Sequence, residues 1–154
     1  MKKAELLYEG KAKKVFATED ENCVIISYKD DATAFDGTKK GTILGKGEIN
    51  NRMSNYLMKM LEKNGIPTHL VEELSGRETV VEKVSIVPLE VIIRNISAGS
   101  FSKRYGVPEG IIFDSPTIEF SYKNDELHDP LINDYHALAL KLATIEEIEI
   151  IKKM

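Results

Sequence analysis

Between Ile49 and Leu61 the hydrophobic period of the chain changes from two to three and four. Ile49, Met53, Tyr56, Leu57, Met60 and Leu61 fall at i, i+4, i+7, i+8, i+11 and i+12, the stripe of an amphipathic helix. Asn51, Asn55, Lys59 and Glu62 occupy its other side. Gly65, free to take the left-handed conformation and followed by Ile66-Pro67, predicts the helix stop. Short strands surround this helix. ELLYEG, KKVFATE and CVIISYKD precede it, with Gly10 and Asp20-Glu21-Asn22 as turns; THLVEEL, ETVVEKV and LEVIIRNI follow it. We therefore expect an α+β architecture: a small, mainly antiparallel lobe over residues 1–84, then the first part of a mixed α/β second lobe over residues 85–154.

The second part carries a turn leading into a short helix at SAGSFSKRYGV, a strand at TIEFSY and a polar loop at KNDELHDPLIN. Helical pattern returns from Asn133, and Thr144 with Glu147 three residues on predicts a capping box. Ile145, Ile148 and Ile151 extend an apolar stripe up to the final Lys-Lys-Met, with no glycine cap. A lone helix of about a dozen residues is marginal without a partner, so the ending reads as cut.

The formal net charge is −4, which argues against generic binding to a nucleic-acid backbone but leaves room for a local basic site. The single cysteine, Cys23, lies in an apolar run and reads as a structural thiol. Lys2-Lys3 is followed by no apolar targeting core, and no stretch approaches a membrane span, so a cytoplasmic protein is expected.

Four segments could carry chemistry. In EGKAKKV, an extended backbone would project Lys11 and Lys13 to one face, while Gly10 lets a ligand approach the main chain. Edge lysines that guard a hairpin against aggregation explain the same residues. In VIIRNISAGSFSKRYG, Arg94, Ser100, Lys103 and Arg104 gather around a predicted helix start, as an anion site or as a capped helix with a basic face. KNDELHDP supplies Lys123, Asp125, His128 and Asp129, as acid–base groups, nucleotide contacts or a metal site without a specific spacing signature, or as a polar turn closed by proline. DDATAFDG ends at Asp36-Gly37 and reads most simply as a turn. His69 and His136 are isolated, and the sequence assembles no catalytic triad and no zinc spacing.

In their order along the chain, YEGKAKKVF, ATAFDG, NNRMSNYLMKMLEKNGIPTH, VPLEVIIRNISAGSFSKRYG and KNDELHDPLIN resemble the SAICAR synthetases, from Ala4 to the last helix. The resemblance implies a kinase-like N-terminal sheet in an ATP-grasp-like fold. It implies an ATP-dependent ligase of purine biosynthesis that joins L-aspartate to carboxyaminoimidazole ribotide (CAIR), through an acyl phosphate and with Mg2+. Gly10, Lys11, Ala12 and Lys13 match the family's nucleotide-phosphate loop. Arg94, Ser100 and Lys103 match positions around the ribotide phosphate, and Lys123 and Asp129 match residues lining the nucleotide and substrate cleft. Asp36 matches a cleft aspartate whose role stays open. The implied partners are small molecules, with neither nucleic acid nor membrane, and a homo-oligomer is left open. Family members continue through segments bearing the metal-binding carboxylates and a further arginine. These 154 residues contain neither segment, so an N-terminal fragment with impaired activity is expected. A non-catalytic nucleotide-binding module and a kinase sharing the lobe are the alternatives; the missing Gly-x-Gly-x-x-Gly and His-Arg-Asp loops argue against the kinase.

Overall fold

The computed structural model describes residues 1–34 and 39–154 and divides into two compact units, Met1–Ser85 and Ile86–Met154. Each combines antiparallel strands with helix, an α+β fold.

In the first unit, β1 (Leu6–Glu9), β2 (Lys13–Ala17), β3 (Cys23–Tyr28), β6 (Leu70–Ser75) and β7 (Glu78–Glu82) form a sheet in the order β1-β2-β3-β7-β6. β4 (Asp31–Ala34) and β5 (Lys39–Thr42) pair separately, and α1 runs from Lys46 to Lys63. The register places Val15, Ile26 and Thr79 side by side on one face, as it does Ala17, Val24 and Val81. Val24, Ile26 and Val81 are buried there, with Val15 and Tyr28 packed against them. Cys23 is half-buried at the start of β3, and burial pushes its thiol pKa up.

Helix α1 packs on that face through polar residues. Asn51 and Asn55 are buried, whereas Ile49 is 61% and Tyr56 69% exposed. The Thr79 hydroxyl donates to Asn51 Oδ1 at 2.7 Å and accepts from Asn55 Nδ2 at 2.8 Å. Asn51 Nδ2 donates to the Ser75 carbonyl at 3.0 Å. Gly47, one turn before Asn51, completes the contact line: a Cβ there would stand 2.6 Å from the Tyr28 carbonyl oxygen. The stripe from Ile49 to Leu61 is thus the face turned away from the sheet. Periodicity fixes a helix and its two sides; which side meets the sheet depends here on hydrogen-bonding partners. The stop falls where the sequence places it. Gly65 takes φ 79° and donates to Glu62, while Ile66 donates to Leu61, a Schellman closure.

In the second unit, β8 (Leu89–Ile96), β9 (Ile112–Tyr122) and β10 (Leu131–Ile132) form an antiparallel sheet in the order β10-β9-β8. Helix α2 (Gly99–Tyr105) follows β8, and α3 (Asp134–Ala139) and α4 (Ile145–Lys153) close the unit. Ala137, Ala143 and Ile148 make its core, with Val87, Leu89, Ile132 and Leu138 against them. The Thr144–Glu147 capping box is formed. No helix among the described residues is long and apolar enough to cross a membrane.

Replacing Thr79 by valine strands two buried amide groups. We expect it to cost about 1–3 kcal/mol, read as a lower denaturant midpoint. Tyr56→Ser, on the exposed stripe, should stay within about 0.5 kcal/mol of the parent protein.

Candidate functional site

The β1–β2 connection is a closed turn. The Gly10 N–H donates to the Lys13 carbonyl at 2.9 Å, and the Lys29 N–H donates to the Ala12 carbonyl at 2.8 Å. A Cβ at Gly10 would stand 3.0 Å from the side chain of exposed Tyr8, so a larger residue there would have to displace that ring. Beside this turn lies a cavity of about 410 Å³ whose lining includes Gly10, Lys11, Lys29, Asp31 and Lys40.

Lys29 is the fixed cation of the cavity. Its Nζ lies 2.6 Å from Asp31 Oδ2 and 2.7 Å from Glu9 Oε1. The Asp31 and Glu9 carboxylates raise its pKa above the ordinary lysine value. Glu9 in turn is held below its usual range by Lys29 and then by Lys14, whose Nζ is 3.3 Å from Glu9 Oε2. Lys11 and Lys40 have no carboxylate partner among the described residues. Three ammonium groups against two carboxylates leave this space net positive in a chain of net negative charge.

Of the four turn residues singled out in the sequence, Gly10 and Lys11 line the cavity. Ala12 contributes the carbonyl that anchors Lys29. Lys13 opens β2 opposite Tyr28, and its charge, after burial, lowers the pKa of His69. The extended run that would put Lys11 and Lys13 on one face is absent, because residues 11 and 12 form the bend. Lys29 and Lys40 escaped the sequence reading. The signal for Lys29 was the β2–β3 register, which brings the end of CVIISYK back beside the lysine turn.

In the second unit, α2 lies over the β8–β9 hairpin and brings Arg94 and Ser100 together: Arg94 Nη2 donates to Ser100 Oγ at 3.1 Å. Glu119, unremarked in the sequence, organises the group. It accepts from Arg94 Nε at 3.2 Å and Arg104 Nη1 at 2.6 Å, and its side chain is only 9% exposed. Lys103 stands exposed on α2 outside this network. A second cavity of about 430 Å³ is lined in part by Tyr105, Glu119, Asp134 and Lys152.

KNDELHDP forms a tight turn around a 3-10 segment, Asp125–Leu127. Asp129 Oδ1 accepts the Asn124 N–H at 2.7 Å, and Lys123 Nζ stands 3.5 Å from Asp129 Oδ2. His128 and Asp129 both take positive φ, 56° and 47°, a strained backbone held in place by these contacts. Lys123 and Asp129 are therefore brought together. Asp36 lies outside the described residues. His136 serves the capping box of α3.

The lowered Glu9 pKa fixes the sign of a pH effect. Glu9 adds stability above its unfolded value near 4.5, and this is lost as pH falls through the lower folded value. The gap in denaturant midpoint between the parent protein and Glu9→Gln should be open at pH 7 and close on acidification through that window.

A SAICAR synthetase family model matches residues 6–154. The phosphoribosylaminoimidazole-succinocarboxamide synthase of Lachnoclostridium phytofermentans is 67% identical over 151 residues, covering 98% of this chain and 64% of that protein. Its counterpart from a Thermoanaerobacter species is 62% identical over 154 residues, covering 100% of this chain and 66% of that protein. The chain thus spans 64–66% of the length of these relatives. The crystal structure of the Ehrlichia chaffeensis enzyme superposes with a TM-score of 0.91 at 49% identity, over 96% of this chain and 62% of that one. A SAICAR synthetase solved in complex with ADP superposes with a TM-score of 0.89 at 48% identity, over 97% of this chain and 63% of that one.

Proposed function

The chain belongs to the SAICAR synthetase family, and from that premise we propose that the lysine-lined cavity of its first unit receives the phosphates of ATP. The observation that carries this is the closed Gly10–Lys13 turn with Lys11, Lys29 and Lys40 converging beside it. The relative in complex with ADP supports a nucleotide as the ligand. Glu9 and Asp31 keep Lys29 charged and aimed, and Lys11 is free to follow the phosphates. Preset cations of this kind stabilise charge on a transferring phosphoryl group without reorganisation.

The whole protein, on this proposal, is the ATP-dependent ligase that joins L-aspartate to CAIR in purine biosynthesis, in a cytoplasmic setting. The terminal phosphoryl group of ATP passes to a carboxylate oxygen of CAIR, giving an acyl phosphate and ADP. The aspartate amine then attacks the acyl carbon and loses a proton as phosphate departs, leaving the new C–N bond. Arg94 and Ser100, already hydrogen-bonded to each other, are assigned with Lys103 to the ribotide phosphate. Lys123 is assigned to the nucleotide and Asp129 to the substrate, and Asp36 keeps a substrate contact. Magnesium is implied by the same kinship. The described residues gather no group of three or more His, Cys, Asp and Glu side chains able to hold a metal ion, so the ion is assigned no ligands among them.

The alternative is a chain that binds nucleotide without turning it over. Titration calorimetry with ADP and an assay of aspartate- and CAIR-dependent ADP release separate the two. ADP binding with aspartate-dependent release supports the ligase; binding alone supports the alternative. In both cases Lys11→Ala should weaken ADP binding about 10-fold, and Lys13→Ala by less than about 3-fold. Unchanged affinity in Lys11→Ala would overturn the assignment of the cavity.

A further inference from the structure

Asp30 stands between Lys29 and Asp31, the two residues that grip each other at the cavity, yet its own carboxylate is engaged elsewhere. Its Oδ1 accepts the Gly47 N–H at 2.8 Å, in the first turn of α1. The same oxygen accepts from Arg77 Nη1 at 3.2 Å, and Oδ2 accepts from Arg77 Nη2 at 3.3 Å. Arg77 occupies the turn between β6 and β7. Its Nη1 also reaches the Tyr28 carbonyl at 3.3 Å, and its own carbonyl accepts the Tyr28 N–H at 2.9 Å. Three separate pieces of the first unit therefore meet at one carboxylate: the end of β3, the start of α1 and the β6–β7 turn. The Asp30 side chain is 16% exposed, and its pKa is lowered by the Gly47 N–H and then by Arg77.

We propose that Asp30 and Arg77 are positioning residues of the nucleotide site, holding the chain from Tyr28 to Asp31 so that Lys29 Nζ stands fixed between Asp31 and Glu9. The inference rests on the reading of the cavity as that site. Contacts of 2.6 and 2.7 Å tolerate little movement, and Lys29 and Asp31 are bonded directly to the residue that Arg77 clamps. A shift of about 1 Å in this segment misplaces the cation relative to any phosphate it must meet. Arginine is required because its planar fork serves both Asp30 oxygens and the Tyr28 carbonyl at once, whereas a lysine offers one point of charge.

The test is ADP titration of the full chain as the parent protein and as Arg77→Ala, Arg77→Lys, Asp30→Asn and Asn55→Ala, with a melting temperature for each. Arg77→Ala should bind ADP about 10-fold more weakly, and Arg77→Lys should recover part of the loss. Asn55→Ala breaks the hydrogen-bonded seam of the same helix without touching the cavity. It should melt at least as early as Arg77→Ala and still bind ADP within about 2-fold of the parent. Normal ADP binding by Arg77→Ala overturns the inference alone. So does an affinity loss in Asn55→Ala equal to that of Arg77→Ala, since stability would then account for both. A parent protein that binds no ADP overturns the nucleotide reading and this inference with it. Should Arg77→Ala fail to fold, Asp30→Asn carries the same test. It is isosteric, keeps an acceptor for Gly47 and loses the charge that orients Arg77; weakened ADP binding supports the inference and unchanged binding overturns it.

Discussion

The hydroxyl of Thr79, held between Asn51 and Asn55, joins the long helix to the sheet of the first unit, and the helix takes its orientation on the sheet from that junction. A greasy contact between helix and sheet tolerates sliding and rotation; a hydroxyl that must donate to one amide and accept from another does not. Once Asn51 and Asn55 are placed, Gly47 falls one turn earlier on the same line and meets the Tyr28 carbonyl without a side chain between them. That approach brings the Gly47 N–H to Asp30, and Asp30 sits beside the lysine of the cavity. Asn51 keeps its own bonds to Thr79 and Ser75 independently of Asn55, and the helix start, held by Asp30, braces the segment carrying Lys29.

The cavity sets local charge against global charge. The chain as a whole is acidic, at −4, and repels a polyanion weakly at long range. At physiological salt the Debye length is about 8 Å, so the groups nearest the ligand decide the outcome. There, Lys29 is stapled by two carboxylates that hold its charge, and Lys11 and Lys40 add two more cations. Glu9 and Asp31 subtract from the net charge while supplying geometry. A lysine left alone on a flexible stem loses side-chain entropy when it orders around an anion. Lys29 has lost most of that freedom before any ligand arrives.

Alternation marks strands and a three-and-four spacing marks a helix whatever the packing turns out to be, whereas DDATAFDG, read as a turn, has no alternation of large apolar residues to betray the strand β4 that it contains. The helix stop at Gly65 and the Thr144–Glu147 cap were legible for the same reason: each is local chemistry. What the sequence hid was long-range pairing. Thr79 looks like any strand threonine until the register sets it against two asparagines 28 and 24 residues earlier. Lys29 belongs to the lysine turn only because β2 and β3 pair as they do, and Glu119 is the hub of its cluster only because β9 returns beside β8. Lys13 shows the converse limit: the extended run expected over residues 11–13 is a bend at residues 11 and 12, and Lys13 opens β2. Of the residues assigned to the site, the ones brought together are the pairs joined by a turn or a hairpin: Gly10 with Lys11, Arg94 with Ser100, and Lys123 with Asp129.

Glu119 bears on how the second unit could serve an anion. Two guanidinium groups close together repel unless a carboxylate lies between them, and Glu119 fills that place for Arg94 and Arg104 with its side chain almost enclosed. Neutralised in this way, Arg94 is not lost to a ligand. A guanidinium has five N–H donors in a rigid fork. Arg94 gives its Nε to Glu119 and one Nη2 donor to Ser100, which leaves further donors on the edge shared with that hydroxyl. A phosphate approaching along α2 would meet that edge and Ser100 already oriented, with exposed Lys103 on the same short helix. Acidic residues do the same job in both units: Glu9 and Asp31 hold Lys29, and Glu119 holds Arg94. In each case a carboxylate gives up part of the local positive charge and fixes the direction in which the rest is presented.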